Sequence, residues 1–242
     1  LETEKDHAVF LGTLILHRLD SPKENLHFDV ANLITRVDTV VDGQQRIASL
    51  ALLSCLLTDY LIDIKGKLND EENSVSFRNS IENLILRLEQ IYSLEVKTSA
   101  VSPAQKPIII REGDSKTNPV TDQWTEQGDI ELFYKGDIAS FISKFINSKE
   151  GKTTSFIGDL IESERIRDVV DAFRYQIDSK ITKELKKGPC KGSYEKTFDF
   201  FTKFIDCLTR HTHFVVIETK SLDLAYDMFQ SLNATGTPLT SF

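Results

Sequence analysis

Five consecutive residues, Asp42-Gly43-Gln44-Gln45-Arg46, combine a carboxylate, a glycine, two amides and a guanidinium at the junction of two unlike patterns. Upstream, residues 33–41 end in Thr39-Val40-Val41 and read as a strand; downstream, Ile47, Leu50, Ala51, Leu57 and Leu61 recur at helical intervals. The first turn of a helix leaves backbone N–H groups unpaired and carries the positive end of the dipole, so an anion is favoured there. Gly43 lets the backbone approach a ligand with no side chain in the way. Arg46 offers a planar fork to phosphate oxygens. Gln44 and Gln45 add donors and acceptors that could orient a water or a phosphate oxygen, and Asp42 could hold a magnesium ion or accept a proton from an attacking water. A purely architectural reading makes Asp42 a helix N-cap, with Gln45 completing something close to a capping box. Two adjacent glutamines and an arginine ahead of a nearly all-apolar helix weigh against it, because burying that end without a ligand or dense hydrogen bonding is costly.

The elements that must hold these residues are legible to different degrees. Residues 10–19 are mostly apolar and read as a strand, followed by turn chemistry at Ser21-Pro22-Lys23-Glu24-Asn25. Leu53 and Leu56 widen the apolar stripe of the helix after Gln44 until it faces protein nearly all round, which makes it central. Phe77, Ile81, Leu84, Ile85 and Leu88 predict a second helix, entered through an acidic loop over 68–73. Residues 106–111 read as a short strand opening a long polar stretch over 112–129. Helical patterns return over 138–146, 157–185 and 194–208, the middle one stopped by Lys186-Lys187-Gly188-Pro189. Phe214-Val215-Val216-Ile217 is the last strand, and Leu222, Ala225, Tyr226, Phe229 and Leu232 share a helical face that ends near Asn233. The chain is therefore an α+β protein, a small mixed sheet core with a large mainly α-helical body. It divides into an α/β core over 1–66, a helical region over 67–212 and a returning strand and helix over 213–242.

Composition narrows the setting. With 242 residues and 40% hydrophobic content the chain can bury a sizeable core, and the ends read as those of a piece of a longer protein. A net charge of −8 argues against the segment being the main clamp on duplex DNA, though one helix end and one arginine can hold a phosphate whatever the total. Cys55, Cys190 and Cys207 form no Cys-x-x-Cys pattern, which fits a reducing cytoplasm. The longest mainly apolar run, 47–62, is short for a membrane span and holds Ser49, Ser54, Thr58 and Asp59, so no membrane is expected.

Val40-Val41-Asp42-Gly43-Gln44-Gln45-Arg46-Ile47 resembles the signature of the DGQQR domain family, found in GmrSD-type modification-dependent restriction systems and related phage-defence proteins. A second landmark, Phe229-Gln230-Ser231-Leu232-Asn233-Ala234-Thr235-Gly236-Thr237-Pro238-Leu239, resembles that family's Phe-x-x-Leu-Asn-x-x-Gly-x-x-Leu. Phe10-Leu11-Gly12-Thr13 resembles the segment preceding the signature, and residues 106–124 loosely match a Pro-led strand followed by Asp-x-Trp. The resemblance spans nearly the whole chain. It implies a ParB/sulfiredoxin-like core whose Gly-x-x-Arg binds nucleotide phosphates, an NTPase using GTP or ATP with Mg2+, and coupling to a separate nuclease domain or subunit that acts on DNA. It also implies an upstream Gln-Arg-x-Tyr-x-Trp-like segment, which residues 1–10 do not contain.

On these grounds the catalytic candidates are Asp42, Gln44 and Arg46, and the phosphate-binding set is Gly43, Gln45 and Arg46. Asn233 and Gly236 would close the site from across the fold, unless they merely end a helix. The rival function is a non-catalytic module recognising DNA modification, with the signature serving only to cap and position a core helix. Direct DNA cleavage by this chain finds no His-Asn-His or paired-carboxylate pattern. His211 and His213, two apart on a strand, lack the further ligands of a zinc site. Lys180, Lys183, Lys186, Lys187 and Lys191 read as a solvated helix end. Homo-oligomerisation stays open.

Overall fold

A computed structural model describes residues 8–18, 38–68, 72–97, 103–109, 136–185 and 193–234. The polar stretch 112–129, the turn at 21–25, Lys186 to Lys191 and Gly236 lie outside the described residues.

The α+β class holds, as a small mixed sheet beside a larger helical body. Strand β1 (Val9–Arg18) is central in a three-stranded sheet of order β2-β1-β5. It pairs antiparallel with β2 (Asp38–Asp42) and parallel with β5 (Thr212–Thr219). The parallel pairing requires a long crossover, and the helical body is that crossover. Helix α1 (Gln44–Gly66) leaves the sheet directly and runs into the body, where α2 (Glu72–Tyr92), α3 (Asp137–Ser148) and α5 (Glu164–Leu185) pack around it. Its Ala51, Cys55, Leu56, Leu57 and Leu61 are fully buried. Ser54 and Thr58 also fit a dry interior, because their hydroxyls donate to the carbonyls of Leu50 (2.8 Å) and Ser54 (2.9 Å) one turn back. By length and composition α1 is apolar enough to cross a membrane, longer than the 47–62 run suggests, but here it is the core of a helical bundle.

Three readings change. Residues 93–97 form a strand, β3 (Ser93–Lys97), that pairs antiparallel with β4 (Pro103–Pro107). The expected strand over 106–111 therefore lies earlier, and Ile108, already past it, donates its N–H to the Tyr92 carbonyl at 3.0 Å. The helix expected over 157–185 is two. A single turn, α4 (Ile157–Leu160), ends at extended Ile161, whose carbonyl accepts from Arg167, and α5 starts afresh after Ser163. Helix α6 (Ser193–Asp206) passes into a π-helical segment, Cys207–His211, before β5 begins. Helix α7 (Leu222–Ala234) then lies against β1, β2 and β5, started by the Ser221 hydroxyl, which accepts the Leu224 N–H at 3.2 Å.

Burial also fixes how the body responds to alkali. The Cys55 thiol is pushed well up, mainly by burial, with Asp59 adding to the effect and Lys149 opposing it. Burial likewise raises the Tyr92 and Tyr60 hydroxyls, and the Tyr60 hydroxyl also donates to Asp178 at 2.5 Å. All three raised groups stay protonated in the folded chain at a pH where the unfolded chain ionises. Their stability contribution is therefore complete below the unfolded values and is lost progressively as pH climbs from those values towards the folded ones. We expect the denaturation midpoint to hold up to about pH 8, fall beyond about 8.5 as unfolded Cys55 ionises, and fall faster above about 10 with the tyrosines. Urea titrations across that range, with Cys55→Ala flattening the first part of the fall, check this; a midpoint constant to pH 11 would refute it.

Candidate functional site

The signature lies at the corner where β2 turns into α1. Gly43 makes that turn with φ 95°, a left-handed conformation natural to glycine, and it serves as the helix N-cap without any side-chain cap bond. The capping reading of Asp42 is thereby corrected: Asp42 is the last residue of β2, and Gln45 is exposed rather than folded back into a capping box. One oxygen of the Asp42 carboxylate accepts the Gly43 N–H at 2.7 Å. The other lies 3.3 Å from Arg46 Nη2. The first helical bond of α1 runs from Ile47 N–H to the Gly43 carbonyl at 3.1 Å, so the amides of Gln44, Gln45 and Arg46 precede the helical ladder.

Arg46 is positioned from a second direction. Its Nη1 donates to the Thr13 carbonyl of β1. The β1–β5 register slips between Phe10 and Thr13, so Thr13 follows directly on a bulge. Gly12 sits in that bulge with φ 101°, and a Cβ there would come within 2.9 Å of Arg46 Nη1. Gly12 is therefore the floor on which the guanidinium rests. The Phe10-Leu11-Gly12-Thr13 string, read from sequence as resembling the segment that precedes the signature, supplies both this floor and the Thr13 acceptor. Gly43 is confined in the same way, since a Cβ would meet Leu14 Cδ2 at 2.2 Å.

Gln44 donates its side-chain amide to the Val40 carbonyl at 2.7 Å, which leaves its oxygen as the group still able to act. Gln44 and Gln45 are both exposed, so the polar helix end is not a buried one, contrary to the cost argument made from sequence. Arg46 and Asp42 are partly open, with side chains 36% and 27% exposed. With two of its N–H groups engaged, the Arg46 fork retains donors for an incoming oxygen. Asp42 supplies one carboxylate, and the described residues contain no group of three or more His, Cys, Asp or Glu side chains that could hold a metal unaided. That donor set fits magnesium, which is commonly held by one or two carboxylates with phosphate and water completing its shell.

The remaining candidates are placed less fully. Asn233 lies in the last turn of α7, the helix that packs on the same sheet, whereas Gly236 lies outside the described residues. His211 belongs to the π-helical segment and His213 to β5, so they are not a same-strand pair. The buried Asp59 was passed over in sequence as a polar interruption. Its carboxylate accepts from Ser155 Oγ (2.6 Å) and from the N–H groups of Phe156 (2.8 Å) and Ile157 (3.1 Å).

Residues 2–242 match a family model described as GmrSD restriction endonuclease, N-terminal domain. No curated protein matches the chain.

Proposed function

The chain belongs to the GmrSD restriction endonuclease N-terminal domain family, and on that footing we propose that it is the nucleotide-binding and nucleotide-hydrolysing regulatory domain of a modification-dependent restriction system. The observation that supports this most is the double anchoring of Arg46, to Asp42 and to the Thr13 carbonyl, beside the open first turn of α1. A partly exposed guanidinium held from two sides is preorganised for an anion, because little reorganisation remains when the ligand arrives.

In this reading the phosphates of GTP or ATP lie against the amides of Gln44, Gln45 and Arg46, with Gly43 keeping the approach clear. The remaining Arg46 donors would take phosphate oxygens while its bonds to Asp42 and Thr13 hold, and the partly exposed Asp42 carboxylate would hold Mg2+, which when bound would offset charge on the transferring phosphate. The Gln44 oxygen orients the attacking water; the bond to the leaving nucleoside diphosphate breaks as the new P–O bond forms, and the water's proton passes to solvent. The family resemblance implies that Asn233 and Gly236 would close the site, and in this reading the three strands with α1 are the ParB/sulfiredoxin-like core.

In the complete endonuclease, Arg46→Ala is expected to lower nucleotide turnover by about 10² or more, and Asp42→Ala to do likewise, with circular dichroism unchanged. Unchanged turnover in both variants would sink the reading. One observation favours the rival: Asp42, Gln44 and Arg46 all find partners within the chain, as a purely positioning motif would. That alternative, a module that recognises DNA modification without catalysis, predicts modification-dependent duplex binding indifferent to nucleotide and no turnover at all.

A further inference from the structure

Away from the signature, the π-helical segment gathers an unusual set of charges around one carboxylate. Asp206, the last residue of α6, receives Arg210 Nε at 3.1 Å and Arg87 Nη2, from α2, also at 3.1 Å, while His211 Nε2 lies 3.8 Å away. Arg87 Nη2 also meets Thr209 Oγ1, whose hydroxyl donates to the Ile205 carbonyl at 2.8 Å. The backbone explains the convergence. In an α-helix the residue five positions on lies about 140° round the axis, whereas π geometry, with its i to i+5 hydrogen bonds, brings it over the starting residue. Arg210 and His211 thus both reach Asp206, and such wide turns recur at functional sites.

The charges do not balance. Two guanidiniums face one carboxylate in a chain whose net charge is −8, and the His211 ring adds to the surplus whenever it is protonated. Arg210 is 67% exposed and is tied through Nε, so its terminal amino groups remain as donors for a further ligand. Arg87 is held by Asp206 and Thr209 and acts as the fixed wall of the cluster. We propose that Arg210, supported by Arg87 and His211, is a contact for a backbone phosphate of duplex DNA, the substrate class of a restriction endonuclease. A local surplus of this size suits one positioning contact and not a clamp, consistent with the acidity of the whole chain.

The cluster opens into β5, whose Val215 pairs with Thr13, the residue that holds Arg46. Strand β5 thus joins the cluster to the strand that bears Thr13, and the contact shares no residues with the proposed phosphate site.

The test is binding of an unmodified duplex of about 20 bp to the complete endonuclease, without nucleotide, between about 50 and 200 mM salt. Arg210→Ala should reduce the slope of log K against log salt by about one and weaken binding about tenfold at 0.1 M, equally for a modified duplex. Arg210→Lys should recover most of the loss. Asp206→Asn, which removes the competing carboxylate, should tighten binding. An unchanged affinity and slope in Arg210→Ala overturns the proposal, as does a loss confined to modified DNA or weaker binding by a folded Asp206→Asn protein. Because the assay contains no nucleotide and leaves Arg46 intact, its failure would leave the nucleotide reading standing.

Discussion

Gly43→Ala is expected to cost about 2–5 kcal/mol of stability and to abolish nucleotide-dependent behaviour. Two independent effects add. An L-residue at φ 95° bears the left-handed backbone penalty, about 1–2 kcal/mol. The new methyl must also displace Leu14 Cδ2, which a Cβ would meet at 2.2 Å. Leu14 is only 8% exposed, so its side chain has little room to retreat, and overpacking of this kind typically costs about 1–3 kcal/mol. Because the clash is with the end of a side chain and not with backbone, it can be separated from the backbone penalty. In a Leu14→Ala background the added cost of Gly43→Ala should shrink towards the backbone part alone, a coupling that a double-mutant cycle measures. Equal costs in both backgrounds would show that Leu14 does not confine the turn. Gly12→Ala forms a contrast, since its methyl would press on the Arg46 guanidinium instead of a core side chain. It should impair ligand binding more than the packing of the body.

The same corner shows what could be read from the residues and what could not. The strand, glycine and helix order at 38–66 was legible because the hydrophobic period changes abruptly at Gly43, and the all-round apolar character of α1 announced a central helix. What fills the corner was hidden. The bulge at Gly12 and Thr13 depends on pairing with β5, some 200 residues later, and no local pattern encodes such a register. For the same reason Asp42 looked like a cap: the local string is right for one, but a left-handed Gly43 occupies the cap position and turns the carboxylate towards Arg46. Strand β3 was missed because it follows α2 without a turn signal and its five residues carry only Leu94 and Val96 as apolar positions. The break at 161–163 was hidden by an apolar spacing that continues through it, with Ile157, Ile161 and Ile166 all buried although the backbone at Ile161 is extended. The π-helical segment has no compositional mark, since its geometry emerges only where α6 must unwind into β5.

Asp59→Ala should be the most damaging change in the helical body, lowering stability by about 3–5 kcal/mol. The carboxylate is 2% exposed and lies two turns before the end of α1. It is the acceptor for three donors from residues 155–157, and it ties the entry of α4 to the central helix. Two of those donors are backbone N–H groups of Phe156 and Ile157, themselves 5% and 0% exposed, so without Asp59 they have no ready access to water. Phe156 also stacks on Phe145 of α3, with centroids 5.2 Å apart, and loosening it would disturb a second helix. At roughly 2–4 °C per kcal/mol for a chain of this size, the loss corresponds to a Tm drop of about 6–20 °C. Asp59→Asn separates charge from acceptor geometry. Its remaining oxygen can keep both backbone N–H groups while its amide donates to the Ser155 hydroxyl, which can accept as readily as donate. The asparagine protein should therefore retain more than half of the lost stability. A thermal melt in which the two variants fall equally would mean that the negative charge at the start of α4, and not the accepted hydrogen bonds, is what Asp59 contributes.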